Sequence, residues 1–228
     1  MSGWLAVVGL GPGDPALITP EVTATLEAAS DLLGYAPYLA RVAVRPDQHR
    51  HATDNREELD RARHALALAA GGRRAALVSS GDPGVFAMAA AVFEALETGP
   101  AGWRDLDIRI LPGITAMLAA AARLGAPLGH DFCAINLSDN LKPWEMIEAR
   151  LTAAARAGFA IALYNPRSKA RPEGFGRVLD LLRAGAGGER AIAFARAVST
   201  PEERLEVTTL AAARPGMADM RTLVIVGS

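Results

Sequence analysis

Three times in the first half of the chain, a short apolar run stops in glycine and proline and a helix-like run follows. The apolar runs lie at 4–8, 75–78 and 108–111. They end in Gly9-Leu10-Gly11-Pro12-Gly13-Asp14-Pro15, Ser79-Ser80-Gly81-Asp82-Pro83-Gly84-Val85 and Pro112-Gly113-Ile114-Thr115-Ala116. Short aliphatic runs closed by turn-forming residues read as buried strands. Strands that alternate with helices pair in parallel and define an α/β class. In open sheets of that class, ligands sit at the carboxyl ends of the strands, which is where all three loops fall. Each loop alone is an ordinary turn. Three of them converging make a ligand crevice.

The same pattern continues along the chain. A helix is expected over 19–29, where Thr19 caps, Pro20 suits the first turn and Glu21 favours the positive helix end. A second is expected over 57–70, stopped by Gly71-Gly72. Others fall at 85–96, 114–124, 143–157 and 173–183. Further strands are expected at 134–137, 159–164, 191–195, 206–210 and 222–226. The segment 31–34 reads as a helix end. The early strand–helix order implies a mostly parallel N-terminal sheet, and the strand-rich last third implies a mixed one. Two α/β domains are expected, 1–120 and 121–228, joined near Gly125-Ala126-Pro127-Leu128-Gly129.

Several function classes fall away. The first loop has G-x-G-x-G spacing instead of the G-x-G-x-x-G of dinucleotide sites, and two prolines stand where a pyrophosphate-binding helix would begin. The helix end at 31–34 also leaves no strand for a ribose-binding acid. With 228 residues and a net charge of -1, the chain lacks the basic balance of a nucleic-acid binder. Cys133 is the lone cysteine, which fits a reducing compartment. The N-terminus has no basic head, and no stretch approaches the ~20 apolar residues of a membrane span. A cytoplasmic protein is expected. His49 and His51 have no third ligand type nearby, so no metal site is expected. Cations gather at Arg41, Arg45, Arg50 and Arg56, and again at Arg167, Lys169 and Arg171. Such groups are usually a solvated surface. The alternative is a polycarboxylate clamp, because guanidinium matches carboxylate geometry; the second group, following a strand, suits it better.

In this order the motifs resemble the tetrapyrrole methylases. That family carries V-G-x-G-P-G-D-P near its start, then a G-D-P loop, then a P-G-I-(S/T)-(A/S) turn. Here these are Val8 with Gly9 through Pro15, Gly81-Asp82-Pro83, and Pro112-Gly113-Ile114-Thr115-Ala116, and a terminal apolar strand ends in Gly227. The similarity is greatest to the branch that methylates precorrin-3B at ring carbon 17 and contracts the ring to precorrin-4. It is carried by Gly34-Tyr35, Asp54-Asn55-Arg56-Glu57, His130-Asp131-Phe132-Cys133-Ala134-Ile135, Leu137-Ser138-Asp139, Pro143-Trp144-Glu145 and Leu163-Tyr164-Asn165-Pro166-Arg167-Ser168. The branch more often reads L-S-D-L-L-T-P-W-E in its substrate-side loop, and Asn140 and Lys142 depart from that.

The resemblance implies a cobalamin-pathway methyltransferase with two α/β domains and S-adenosylmethionine, spent as S-adenosylhomocysteine, in the cleft between them. It implies cofactor contacts at Pro12, Gly81, Asp82, Val85, Thr115, Ala116, Tyr164, Ala197 and Thr222. On the substrate side it implies Ser138, Asn165, Arg167, Lys169 and Arg171. Candidates for an acid or base in ring contraction are Asp139, His130 and Glu145, and Asp139 suits a turn cap equally well. Expected partners are a polycarboxylate tetrapyrrole, a second copy of the chain, and neighbouring pathway enzymes taking the product, with no nucleic acid and no membrane. The rival readings are a sister methylase at another ring position, a related methylase of diphthamide precursor or ribosomal RNA, and a nucleotide-binding module without chemistry.

Overall fold

The computed structural model describes residues 3–54, 57–138, 142–168 and 172–228. The chain divides into two compact units, Met1–Thr115 and Ala116–Ser228, and each is taken by itself.

The first unit is a five-stranded sheet in the order β3-β2-β4-β1-β5. Its strands are β1 (Trp4–Gly9), β2 (Asp31–Tyr35), β3 (His49–Thr53), β4 (Arg74–Ser79) and β5 (Asp107–Leu111). Every pairing is parallel. The helices are α1 (Pro20–Ala28), α2 (Ala36–Leu39), α3 (Glu58–Ala70) and α4 (Met88–Thr98). Alternation along β1 divides the core. Trp4, Ala6 and Val8 pack with Val22 and Leu26 of α1, while Leu5 and Val7 pack with Leu66 of α3 and Val92 of α4. Both faces of the sheet are therefore covered, as parallel sheets require. Fully burying leucines such as Leu5, Leu33 and Leu77 contributes roughly 1.5–3 kcal/mol each. Thr19 caps α1 as expected, its hydroxyl accepting the Val22 N–H at 3.3 Å.

The expected elements are found with shifts of a few residues at their ends, and two strands are new. Residues 31–35 form β2, not a helix end, and residues 49–53 form β3. The strand missing from the dinucleotide comparison therefore exists. Its acid, Asp31, lies at the amino end of β2, away from the carboxyl ends where ligands bind. Asp31 is buried and engaged by Arg73 Nε at 2.7 Å, His51 Nε2 at 3.0 Å and Ser30 Oγ at 2.8 Å.

The second unit holds α5 (Ala116–Arg123), β6 (Phe132–Asn136), α6 (Trp144–Ala157), β7 (Ala160–Tyr164), α7 (Gly174–Ala186), β8 (Ala191–Arg196), β9 (Arg204–Thr209) and β10 (Thr222–Val226). Its sheet runs β6-β7-β10-β8-β9. The β6–β7 pair is parallel and the other three pairs are antiparallel, so this sheet is mixed. Ile147 and Leu151 of α6 and Phe175, Leu179 and Leu182 of α7 cover one face. Among the described residues, no helix is long and apolar enough to cross a membrane.

The Asp31 cluster yields a pH-dependent stability. Burial alone raises its carboxyl, but the hydrogen bonds from Arg73, His51 and Ser30 outweigh it and hold the group at about 2 instead of 3.8. The folded value is the lower one, so the contribution is complete above about pH 4 and fades as pH falls toward about 2. It amounts to about 1–2 kcal/mol once the partial exposure of Arg73 is allowed for. Asp31→Asn is expected to lower the thermal midpoint at neutral pH by several degrees and to flatten its fall in acid. A midpoint identical to wild type at both pH values would show that the cluster contributes nothing.

Candidate functional site

The order of the first sheet explains why the three loops meet. They leave the carboxyl ends of β4, β1 and β5, which are neighbours in the sheet. Gly11 and Gly81 exchange backbone hydrogen bonds, Gly11 N–H to Gly81 O at 3.2 Å and Gly81 N–H to Gly11 O at 2.9 Å. Asp82 ties in the third loop: its Oδ2 accepts the Gly113 N–H at 3.0 Å, and its Oδ1 accepts the Gly84 N–H at 2.8 Å. The approach is too close for side chains. A Cβ on Gly113 would lie 2.3 Å from the Gly81 oxygen, and one on Gly9 would lie 2.5 Å from it. Gly81 itself has φ +65, a region other residues enter at a cost. Of the expected contacts in this unit, Pro12, Gly81, Asp82 and Val85 stand half-buried on these loops, and Thr115 is buried at the end of the third.

In the second unit the expected residues gather at one end of the sheet. β6 is parallel to β7, with Asn136 beside Tyr164. β10 is antiparallel to both neighbours, so its first residue, Thr222, pairs with Arg196 at the carboxyl end of β8 and lies toward the carboxyl end of β7. Ser138, Tyr164, Asn165, Ala197 and Thr222 thus share this end. The Tyr164 hydroxyl accepts the Met117 N–H at 3.1 Å, directly after Ala116. Backbone strain concentrates here: Asn165, Ala197 and Ser199 have φ of 54, 49 and 62. Non-glycine residues held there cost about 1–3 kcal/mol each and cluster at functional sites.

Sequence reasoning missed the residues that support this end. Asn136 Oδ1 accepts from both the Ser138 N–H at 2.9 Å and Asn165 Nδ2 at 3.0 Å, joining two expected substrate residues. Asp219 accepts the Thr222 hydroxyl at 2.8 Å and Arg196 Nε at 2.8 Å. Burial outweighed by these hydrogen bonds leaves the Asp219 carboxyl below its ordinary value. Glu203 accepts the Ser199 N–H at 2.6 Å. Ser138, Thr222 and Ser199 lie two to four residues from their supports, within local turns that no motif singles out, whereas Asn165 and Arg196 are brought to Asn136 and Asp219 by the fold.

The remaining candidates do not all come together. His130 is exposed before the amino end of β6, with the whole strand between it and Ser138. Glu145 is exposed in the first turn of α6, where an acid favours the helix N-terminus. Arg167 Nε donates to the Pro172 carbonyl at 3.1 Å. Asp139, Lys169 and Arg171 lie outside the described residues. So does Arg56, and the other arginines of its group are not one surface cluster. Arg45 pairs with the exposed Asp47 at 3.0 Å, whereas Arg50 binds the carbonyls of Leu39, Val42 and Ala43 at the end of α2. Burial pushes the Cys133 thiol up, away from thiolate reactivity.

A doubly wound parallel sheet with a glycine cradle and a mixed sheet with a strained carboxyl end define the class. The chain belongs to the tetrapyrrole (corrin/porphyrin) methylases, whose pattern it matches over residues 5–214. It is 58% identical over 228 residues to a precorrin-3B C(17)-methyltransferase of Sinorhizobium sp, covering 100% of this chain and 90% of the relative. The crystal structure of the methyltransferase CobJ superposes with a TM-score of 0.97 at 63% identity, covering 100% of this chain and 95% of that one. The uroporphyrin-III C-methyltransferase of Thermus thermophilus, solved with S-adenosyl homocysteine, shares the fold at a TM-score of 0.73 and 24% identity, covering 99% of this chain and 98% of that one.

The cradle can be tested without a ligand. Gly113→Ala drives a methyl group into the Gly81 carbonyl and is expected to cost about 1–3 kcal/mol of stability. Gly102→Ala, whose Cβ would meet nothing within 4 Å, is the control. Equal melting of the two variants would mean that the loops are not held in this contact.

Proposed function

We propose that the chain is an S-adenosylmethionine-dependent C-methyltransferase of cobalamin biosynthesis that methylates precorrin-3B at ring carbon 17 with contraction to precorrin-4. The observation that carries the cofactor reading is the contact of three loops at Gly81, which leaves bare backbone for a ligand and no room for a Cβ at Gly9 or Gly113. The residues present fit such a cofactor: glycine backbone for close approach, and the strained carboxyl end with Tyr164 and Ala197 beside it. Pro12, Gly81, Asp82, Val85 and Thr115 of the first unit and Ala116, Tyr164, Ala197 and Thr222 of the second would hold it. When bound, the cofactor supplies an electrophilic sulfonium methyl and is left as S-adenosylhomocysteine. The identity to the Sinorhizobium enzyme supports the choice of precorrin-3B over a sister ring position.

The protein's own part is mostly positioning and electrostatics. An electron-rich tetrapyrrole carries its own carbon nucleophile, so no strong nucleophile–base pair is needed. Ring contraction extrudes the hydroxyl-bearing meso carbon and keeps it as an acetyl group, a step that calls for an acid or base. Asp139 is the leading candidate, with Glu145 near it in sequence. His130, at the opposite end of β6, is set apart from that group. Ser138 and Asn165, joined through Asn136, form a polar rim for the substrate, and Arg167, Lys169 and Arg171 meet its carboxylates. With this reading go a cytoplasmic location, a homodimer, and hand-over of product to the next pathway enzyme.

Turnover decides the reading. Incubation with precorrin-3B and methyl-labelled S-adenosylmethionine is expected to place one label at carbon 17 and yield an acetyl-bearing contracted ring. Label at another ring carbon would make the chain a sister methylase, and cofactor binding without turnover on any tetrapyrrole would make it a binding module. Asp139→Asn is expected to slow contraction, and contraction at full rate would remove it as the acid or base. Replacing both Arg167 and Lys169 by Gln is expected to raise the tetrapyrrole KM about tenfold or more and spare cofactor affinity. An unchanged KM would return the cluster to a solvated surface.

A further inference from the structure

Arg41 follows α2 in the first unit and is half-buried. Its guanidinium donates to no fold-building element. Nη2 reaches Leu10 O at 2.6 Å and Gly11 O at 3.1 Å, with Gly13 O at 3.5 Å, and Nη1 reaches Ser80 Oγ at 3.2 Å. All four acceptors belong to the first two loops of the cradle. Among the described residues Arg41 makes no ion pair with a carboxylate. A half-buried cation held by neutral acceptors loses solvation that no carboxylate offsets.

Other arginines of this unit show the contrast. Arg50 caps the end of α2, and Arg61 binds Thr53 Oγ1 and the Asp54 carbonyl at the end of β3. Both secure secondary structure. Arg41 secures a loop whose shape matters to a ligand. Peptide planarity extends its grip, because fixing a carbonyl fixes the N–H of the next residue. Holding Leu10 O orients the Gly11 N–H, which donates to Gly81 O, and holding Gly13 O orients the amide of Asp14. The same guanidinium reaches Ser80, next to Gly81, so one side chain sets the first loop against the second.

We infer that Arg41 is a positioning residue of the cofactor site, fixing the first loop in its binding shape through the carbonyls of Leu10, Gly11 and Gly13 without touching the cofactor. This rests on the cofactor reading given above. Lysine keeps the charge but is a point donor and cannot reproduce the fork. Alanine removes both.

The test is calorimetric titration of S-adenosylhomocysteine into wild type, Arg41→Lys and Arg41→Ala, with thermal melting of each and steady-state kinetics. Arg41→Lys is expected to weaken binding about tenfold or more, to raise the cofactor KM in step, and to leave the tetrapyrrole KM and the kcat at saturating cofactor within about threefold of wild type. Methylguanidinium added to Arg41→Ala is expected to recover part of the lost affinity. A purely structural arginine would lower the melting temperature without this split and without rescue. Wild-type affinity in Arg41→Lys, or a loss that only tracks the unfolded fraction, would overturn the inference. Failure of the wild type itself to bind would overturn the cofactor reading and this inference with it, so the two failures are told apart.

Discussion

The carbonyl oxygen of Gly81 is the point on which the packing of the first unit's three loops depends. It accepts the Gly11 amide, and it lies so near Gly9 and Gly113 that neither position can carry a side chain. Three separate strands must end within reach of it, which they do because β4, β1 and β5 are neighbours in the sheet. Asp82 then locks the third loop through the Gly113 amide. The two halves of the arrangement constrain each other. Parallel pairing brings the loops together, and the loops' glycines permit the pairing to continue to the strand ends.

The second unit solves its part differently. Its sheet is mixed, so the amino ends of β9 and β10 coincide with the carboxyl ends of β6, β7 and β8. Side-chain supports such as Asn136, Asp219 and Glu203 hold that end. Ala197 and Ser199 are kept in the left-handed region at a cost the rest of the unit bears. The first unit thus presents backbone, and the second presents strained residues with polar braces. A family whose chemistry is mostly placement of a methyl donor against a large ring needs surfaces of this kind more than it needs a reactive side chain.

Much of this was legible in the sequence because glycine and proline punctuate so strongly. The three cradle loops, the Thr19 cap and the terminal strand were all readable from local residue chemistry. The failures were also local in origin. Residues 31–35 follow α1 with only Ala29-Ser30 between, and Gly34 near their end looks like a helix stop, so β2 reads as a helix end. β3 reads His49-Arg50-His51-Ala52-Thr53, an edge strand too polar to announce itself. His130 lies eight positions before Ser138, close in sequence, yet the extended strand between them sets them at opposite ends of the sheet. The role of Arg41 was out of reach, since its acceptors lie some thirty to forty residues away along the chain and only the fold brings them near.

Hydrogen–deuterium exchange of the protein with and without S-adenosylhomocysteine tests the central claim, that the three loops act as one cofactor surface. The account expects protection to rise together in the segments 9–15, 79–85 and 112–116, and at 164–165 and 197–199 in the second unit. Binding that protects only one of the loops, or segments elsewhere, would contradict it.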